Sequence, residues 1–196
     1  LGKDNVMGIA MPSEFSSEHS KTDALQLAQN LGLSIETIEI KNMVNESLKS
    51  LSPLFKDSPS NVAEENIQAR IRGLVLMAIS NKFNWLVLTT GNKTELALGY
   101  CTLYGDMSGG LAAISDLSKQ DVYAISRWVN DSAGFERIPE NSLKKPPSAE
   151  LSPNQVDPFD YDIVSPMVEA IIQEKLSVNR LVEIGSDRSV VSDIEK

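Results

Sequence analysis

Apolar residues recur in two rhythms along the chain. Val6-Met7-Gly8-Ile9-Ala10-Met11 is a nearly unbroken apolar run closed by Pro12-Ser13, the pattern of a strand buried in a parallel sheet. Ala24, Leu25, Leu27, Ala28 and Leu31 then follow helical spacing, with caps on offer at Ser16-Ser17, Phe15 placed for a staple and Gly32 as a stop, which predicts a helix over 17–31. Ile35 to Ile40 alternates apolar and polar residues as a second strand does. Strand, helix, strand implies a parallel pair and an α/β fold.

Asn42 to Leu54 reads as a shorter helix. The longest helical pattern, Ile67, Ile71, Leu74, Val75, Ala78 and Ile79, predicts a helix over 61–82. Trp85-Leu86-Val87-Leu88-Thr89 is the third and most apolar strand. Gly105 to Gly110 is too glycine-rich for a regular element. Ser118 with Asp121 makes a capping box ahead of a helix to Asn130. The proline-rich stretch 134–160 reads as an extended, ordered loop, followed by short helices at 161–175 and 177–184. The last eleven residues look like a helix stopped in mid-turn.

Composition narrows the chemistry. The 196 residues carry 18 Lys+Arg against 27 Asp+Glu, a net charge of −9, and this disfavours nonspecific nucleic-acid binding. One cysteine, Cys101, rules out an intrachain disulfide and a four-cysteine zinc site. One histidine, His19, rules out a three-histidine zinc site. Cys101 reads as a packing residue and His19 as a surface residue. No apolar run is long enough to span a membrane. With no signal peptide, the expected compartment is the cytoplasm. The chain begins Leu1-Gly2-Lys3 and enters an apolar run almost at once. This is read as a fragment, cut at both ends.

Open parallel sheets bind ligands beyond the carboxyl ends of their strands. Of the three such ends, Thr90-Gly91-Asn92-Lys93-Thr94-Glu95 carries the densest polar chemistry. Glu95 offers a hard oxygen ligand for a Mg2+-nucleotide site. An ordinary polar turn, with Glu95 in a first helical turn for dipole reasons, fits as well. Asn66 and Arg70 lie four apart on one helix face and suit a carboxylate or phosphate; a solvated face is the plainer alternative. Lys145-Pro146-Pro147-Ser148-Ala149-Glu150 is a rigid way to present an ammonium group. Neither G-x-x-x-x-G-K-[ST] nor G-x-G-x-x-G occurs.

Four segments in order are specific together: Ala63-Glu64-Glu65-Asn66-Ile67-Gln68-Ala69-Arg70-Ile71-Arg72-Gly73, Leu88 to Glu95, Leu103 to Gly110, and Lys145 to Leu151. Over about residues 1–185 they resemble the synthetase domain of NAD+ synthetases, in the glutamine-dependent branch. The resemblance implies a doubly wound parallel sheet of the adenine nucleotide alpha hydrolase type. It also implies ATP-dependent amidation of deamido-NAD+ to NAD+ through an adenylated intermediate, with ATP and Mg2+. A glutaminase domain upstream would supply ammonia, and two copies would pair through the helix at 61–82.

By motif position, the resemblance places Thr90 on ATP, Met11 to Ser17 beside adenine, and Lys119 and Ser148 at the phosphates. Glu95 would hold Mg2+ or touch deamido-NAD+. Asn66, Arg70, Asp106, Gly110 and Lys145 would face the dinucleotide, with Lys119 and Glu95 as the catalytic pair. Another amide-forming ATP pyrophosphatase, such as a GMP synthetase type, and a non-catalytic adenine-nucleotide module are the competing readings.

The family's Ser-Gly-Gly-x-Asp-Ser loop and the strand before it do not occur in these residues. The chain alone is therefore expected to be inactive. The family's strand order places that strand centrally, between 6–11 and 85–89. Those two strands should then face a gap two strand spacings wide rather than pair with each other.

Overall fold

The computed structural model describes residues 1–194. The chain opens as a parallel βαβ unit. Strand β1 (Met7–Ala10) pairs with β2 (Ser34–Thr37) in the register Met7↔Ser34 to Ala10↔Thr37, and helix α1 (Glu18–Leu31) makes the crossover. Ser17 caps α1 by accepting from the Ser20 N–H, and Gly32 ends it at φ 66°, a left-handed turn that suits glycine. The core of this half is Ile40, Val44 and Ile71, with Met11 and Ile67 against it. It joins α2 (Lys41–Phe55) to α3 (Val62–Phe83). Pro53 lies in the last turn of α2, where a missing N–H costs one bond rather than breaking the helix.

Strand β3 is Leu88–Thr89 and pairs in parallel with β4 (Leu111–Ala112), register Leu88↔Leu111. Between them lies α4 (Lys93–Ala97). The remaining helices are α5 (Lys119–Ala133), α6 (Glu140–Lys144), α7 (Tyr161–Ile172), α8 (Val178–Glu183) and α9 (Arg188–Ile194). Met167 and Leu181, with Val191, form a second core among α7, α8 and α9.

The parallel α/β class and the long helices hold. Four details differ from the sequence reading. The second strand, expected over 35–40, covers Ser34–Thr37, because Ile40 already caps α2. The strand expected over 85–89 is confined to Leu88–Thr89. Trp85 instead stacks on Phe83 at 4.9 Å. The stretch after Gly110 supplies a strand, β4, which the glycine run concealed. The loop 134–160 contains the short helix α6.

The strands form two separate two-stranded sheets, β1-β2 and β3-β4. Residues 85–89 do not pair with 6–11, in keeping with the expected gap. Apolar residues near it are therefore uncovered: Leu86 is 65% exposed, Trp85 46%, Leu88 40% and Met7 37%.

Candidate functional site

A cleft of about 1980 Å³ opens between the two sheets. Of the residues singled out in the sequence, Met11, Asn66, Thr90, Glu95, Asp106, Lys119 and Ser148 line it. Ser17, Arg70, Gly110 and Lys145 do not line it themselves, but each is bonded to an element that does.

One wall is built on α4. Asn92 and Glu95 form a reciprocal capping box: the Glu95 N–H donates to Asn92 Oδ1 at 3.1 Å, and the Asn92 N–H donates to Glu95 Oε2 at 3.1 Å. That occupies one oxygen of Glu95. Lys119, first residue of α5, donates to the other, Oε1, at 2.7 Å. Both partners are mostly buried, at 19% and 18% side-chain exposure. The ammonium of Lys119 also stands 5.1 Å from the ring centre of Tyr161, a position that favours a cation. Below it, Asp157 accepts from both the Tyr100 and Tyr161 hydroxyls, at 3.0 and 2.8 Å. Burial, with this carboxylate beside them, pushes both phenols well above their ordinary pKa.

The α4 turn is fixed from behind. Lys93 donates to Glu169 of α7 at 3.0 Å, and the buried Thr94 and Ser165 hydroxyls bond at 3.0 Å. Thr94 Oγ1 also accepts the backbone N–H of Lys119 at 3.2 Å. The hydrogen bond that Lys93 donates to Glu169, which outweighs desolvation, raises the Lys93 pKa. Sequence reasoning passed over Lys93 because its partner lies 76 residues away.

The second wall is α3 and the loop after α4. The Thr102 hydroxyl donates to Asn66 Oδ1 at 2.7 Å, the Thr102 N–H donates to Asp106 Oδ1 at 2.7 Å, and Arg70 Nε donates to the Leu103 carbonyl at 3.2 Å. Asn66, Arg70 and Asp106 thus converge on one loop. Gly110 donates its N–H to the Val87 carbonyl at 2.9 Å and ties that loop to β3.

The third wall joins the proline motif to the start of α1. Glu150 Oε1 accepts from the Ser17 and Ser20 hydroxyls at 2.8 and 2.7 Å, and its Oε2 accepts the Ser17 N–H at 3.2 Å. Lys145 donates to Ser20 Oγ at 2.6 Å and lies 4.0 Å from Glu150. Ser148 donates to the Gln155 carbonyl at 2.6 Å and accepts the Glu150 N–H at 3.1 Å. Burial works against the charge of Glu150, but its serine hydrogen bonds and Lys145 hold its pKa below the ordinary value. Glu150 and Arg72 are site residues that the sequence reading did not single out, since their partners are remote in the chain.

No group of three or more His, Cys, Asp or Glu able to hold a metal occurs among the described residues.

Residues 1–196 match the NAD synthase family. The glutamine-dependent NAD(+) synthetase of Synechocystis sp. is 50% identical over 99% of this chain and 35% of its own length. That of Thermotoga maritima is 48% identical over 99% of this chain and 34% of its own length. Among solved structures, the glutamine-dependent NAD+ synthetase of Acinetobacter baumannii in complex with ADP is 37% identical. It gives a TM-score of 0.73 and covers 100% of this chain and 35% of that one. The NH3-dependent NAD synthetase of Campylobacter jejuni, solved with a nitrate ion, is 27% identical at TM-score 0.75, covering 98% of this chain and 72% of that one. The chain spans about a third of the length of the curated relatives it matches.

Proposed function

The chain belongs to the NAD synthase family, and from that premise we propose that it carries the substrate-binding surface of an enzyme converting deamido-NAD+, ATP and ammonia to NAD+. The nicotinate carboxylate attacks the α-phosphorus of ATP. A carboxylate–phosphorus bond forms, and the bond to the bridging oxygen breaks. Pyrophosphate leaves with the electron pair. Ammonia then adds to the carbonyl of the mixed anhydride, loses a proton, and expels AMP. Cations on the phosphates lower both barriers, and no protein nucleophile is needed.

The observation that carries this reading is the Lys119–Glu95 pair in the cleft wall. Lys119 is held beside the cleft by one carboxylate oxygen, poised to move its ammonium onto a phosphate oxygen. Thr90 and the Met11 to Ser17 turn border the adenosine. Ser148 sits on the phosphate side. Asn66 and Asp106 face the dinucleotide, with Arg70 and Gly110 holding the loop that does so, and Lys145 with Glu150 fixing the opposite wall.

Mg2+ fits this arrangement as a companion of ATP rather than as a resident of a protein cage. Glu95 Oε1 is the oxygen that would hold it once Lys119 turns to the phosphates, while Oε2 stays on the cap. The ion would supply charge neutralisation on the phosphates.

A further proposal follows from the relatives' greater length and names: a glutaminase domain elsewhere in the protein supplies the ammonia. The cytoplasm remains the compartment proposed from the sequence. No helix among the described residues is long and apolar enough to cross a membrane. Val62, Leu74, Met77 and Phe83 of α3 are exposed and support pairing of two copies through that helix.

The test uses the enzyme that carries this chain, with ammonia as nitrogen source. NAD+ should form at the expense of ATP with release of pyrophosphate. Lys119→Met should lower kcat by about 100-fold or more, the scale of one lost charged contact in a transition state, and leave the KM for deamido-NAD+ nearly unchanged. No NAD+ from the unaltered enzyme, or an unaffected Lys119→Met, would overturn the reading.

A further inference from the structure

Arg72 follows Arg70 by two residues on α3, so it points about 200° around the helix from it. Arg70 is directed to the Leu103 carbonyl on the dinucleotide side. Arg72 is directed to the opposite wall, where its Nε donates to the Met11 carbonyl at 3.1 Å. The carbonyls on either side, Ala10 and Pro12, accept from Ile38 and Ile40 at 2.8 and 3.1 Å. Those two face the β2 side, so the Met11 carbonyl faces away from β2, toward the gap. Arg72 therefore stands at the carboxyl end of the space between the two sheets, the end at which open parallel sheets take their ligands.

The side chain is half-buried and lines the cleft. Only Nε is used. Among the described residues no carboxylate lies in ion-pair range of Arg72, and neither Nη nitrogen has a hydrogen-bond partner. Neither is sealed from solvent. Glu150 is the acidic group that acts on it through space, but that carboxylate is already committed to Ser17 and Ser20. Burial lowers the guanidinium pKa, and the charge of Glu150 pushes it back; an arginine remains charged throughout. A guanidinium anchored by Nε, with its fork facing a cleft and no counter-ion of its own, has the geometry for two parallel bonds to an oxyanion.

We propose that Arg72 binds the β- and γ-phosphates of ATP and retains them as pyrophosphate when the α-phosphorus is transferred. The proposal rests on the functional reading above. It assigns the phosphate-binding role to Arg72 and leaves Arg70 on the dinucleotide side.

Two measurements test it separately from that reading. The first is labelling of the unaltered enzyme that carries this chain with an arginine-specific dicarbonyl, with and without inorganic pyrophosphate, read by peptide mass. Arg72 should be protected at least about fivefold, the effect of a charge-assisted pair at saturating ligand. Arg127, which packs on Tyr123, should label equally in both. Equal labelling of Arg72 overturns the proposal, whatever the enzyme makes. The second is kinetics of the enzyme with ammonia. Arg72→Gln should raise the KM for ATP about tenfold or more and Arg72→Lys by less, since lysine keeps the charge and loses the fork. The KM for deamido-NAD+ should stay within about twofold, below the size of a lost hydrogen bond. A parallel rise in both KM values overturns it. Protection of Arg72 in an enzyme that forms no NAD+ keeps the phosphate site and discards the functional reading. Should Arg72→Gln fail to fold, the labelling result decides.

Discussion

At the scale of single residues, Glu150 does most with least signal in the sequence. Its backbone sits at φ 50°, a left-handed conformation that costs a non-glycine residue about 1 kcal/mol or more. The strain persists because the carboxylate reaches Ser17 and Ser20 across the cleft mouth and caps α1 from outside. Its pKa lies below the ordinary 4.5. The sign follows from that. The contribution to stability is complete above the ordinary carboxylate range and fades as pH falls through the lowered folded value. Glu150→Gln should therefore melt lower than the unaltered chain at neutral pH, and the two melting temperatures should converge in acid. Calorimetric melts from pH 7 down to about pH 3, below the ordinary glutamate pKa, read this directly. A difference that does not change with pH would mean that the charge is not what holds the loop. The motif reads as a rigid presentation of Lys145, and nothing in it names Ser17 as a partner of Glu150, because that contact spans 133 residues.

Elements were legible wherever a local rule fixes them. Ser17 and Ser118 cap α1 and α5, and Gly32 ends α1. Each is a contact within a few residues, so the one-dimensional pattern suffices. β4 was not legible, since two residues beside a glycine run carry no periodicity. The burial of α3 was only half legible. Its apolar residues spread over a broad arc, yet within that arc Leu74 is exposed and Gly73 beside it is buried. The reason is the loop that crosses α3 there. A Cβ at Gly73 would lie 2.6 Å from the Tyr104 carbonyl oxygen, 2.8 Å from Ser108 Oγ and 2.9 Å from the Gly105 carbonyl oxygen. Two of the three are backbone, so relief requires moving the loop that carries Thr102 and Asp106. Gly73→Ala should cost about 1–3 kcal/mol, the range for overpacking. That is a fall in melting temperature of roughly 2–12 °C at this chain length. It should also weaken deamido-NAD+ more than ATP, since Asn66, Arg70 and Asp106 all hold that loop. Unchanged stability, or equal weakening of both substrates, would place the loop elsewhere.

For the whole molecule, the arrangement of the sheets matters more than their content. The family resemblance covers almost the entire chain, and seven of the residues singled out through it line the cleft. The two-sheet split follows from the same strand order, whereas composition and periodicity alone give three parallel strands and no gap. Physically, the split leaves an inner edge on β1 and on β3, each with backbone groups that neither β2 nor β4 satisfies. The exposed Met7, Leu86 and Leu88 lie on these strands or beside them. Unpaired edges with apolar neighbours recruit further strands. We propose that a parallel strand from a segment outside residues 1–196 fills the space, bonding both edges and covering those side chains. Hydrogen exchange distinguishes this from a cleft that is open in the working protein. In residues 1–196 alone, amides of β1 and β3 on the gap side should exchange as fast as loop amides, and the chain should associate as its concentration rises. In a longer chain that supplies the strand, the same amides should be protected to the level of the β1–β2 ladder, and the association should disappear. Fast exchange at both edges in the longer chain would show that the gap is a permanent part of the ligand cleft.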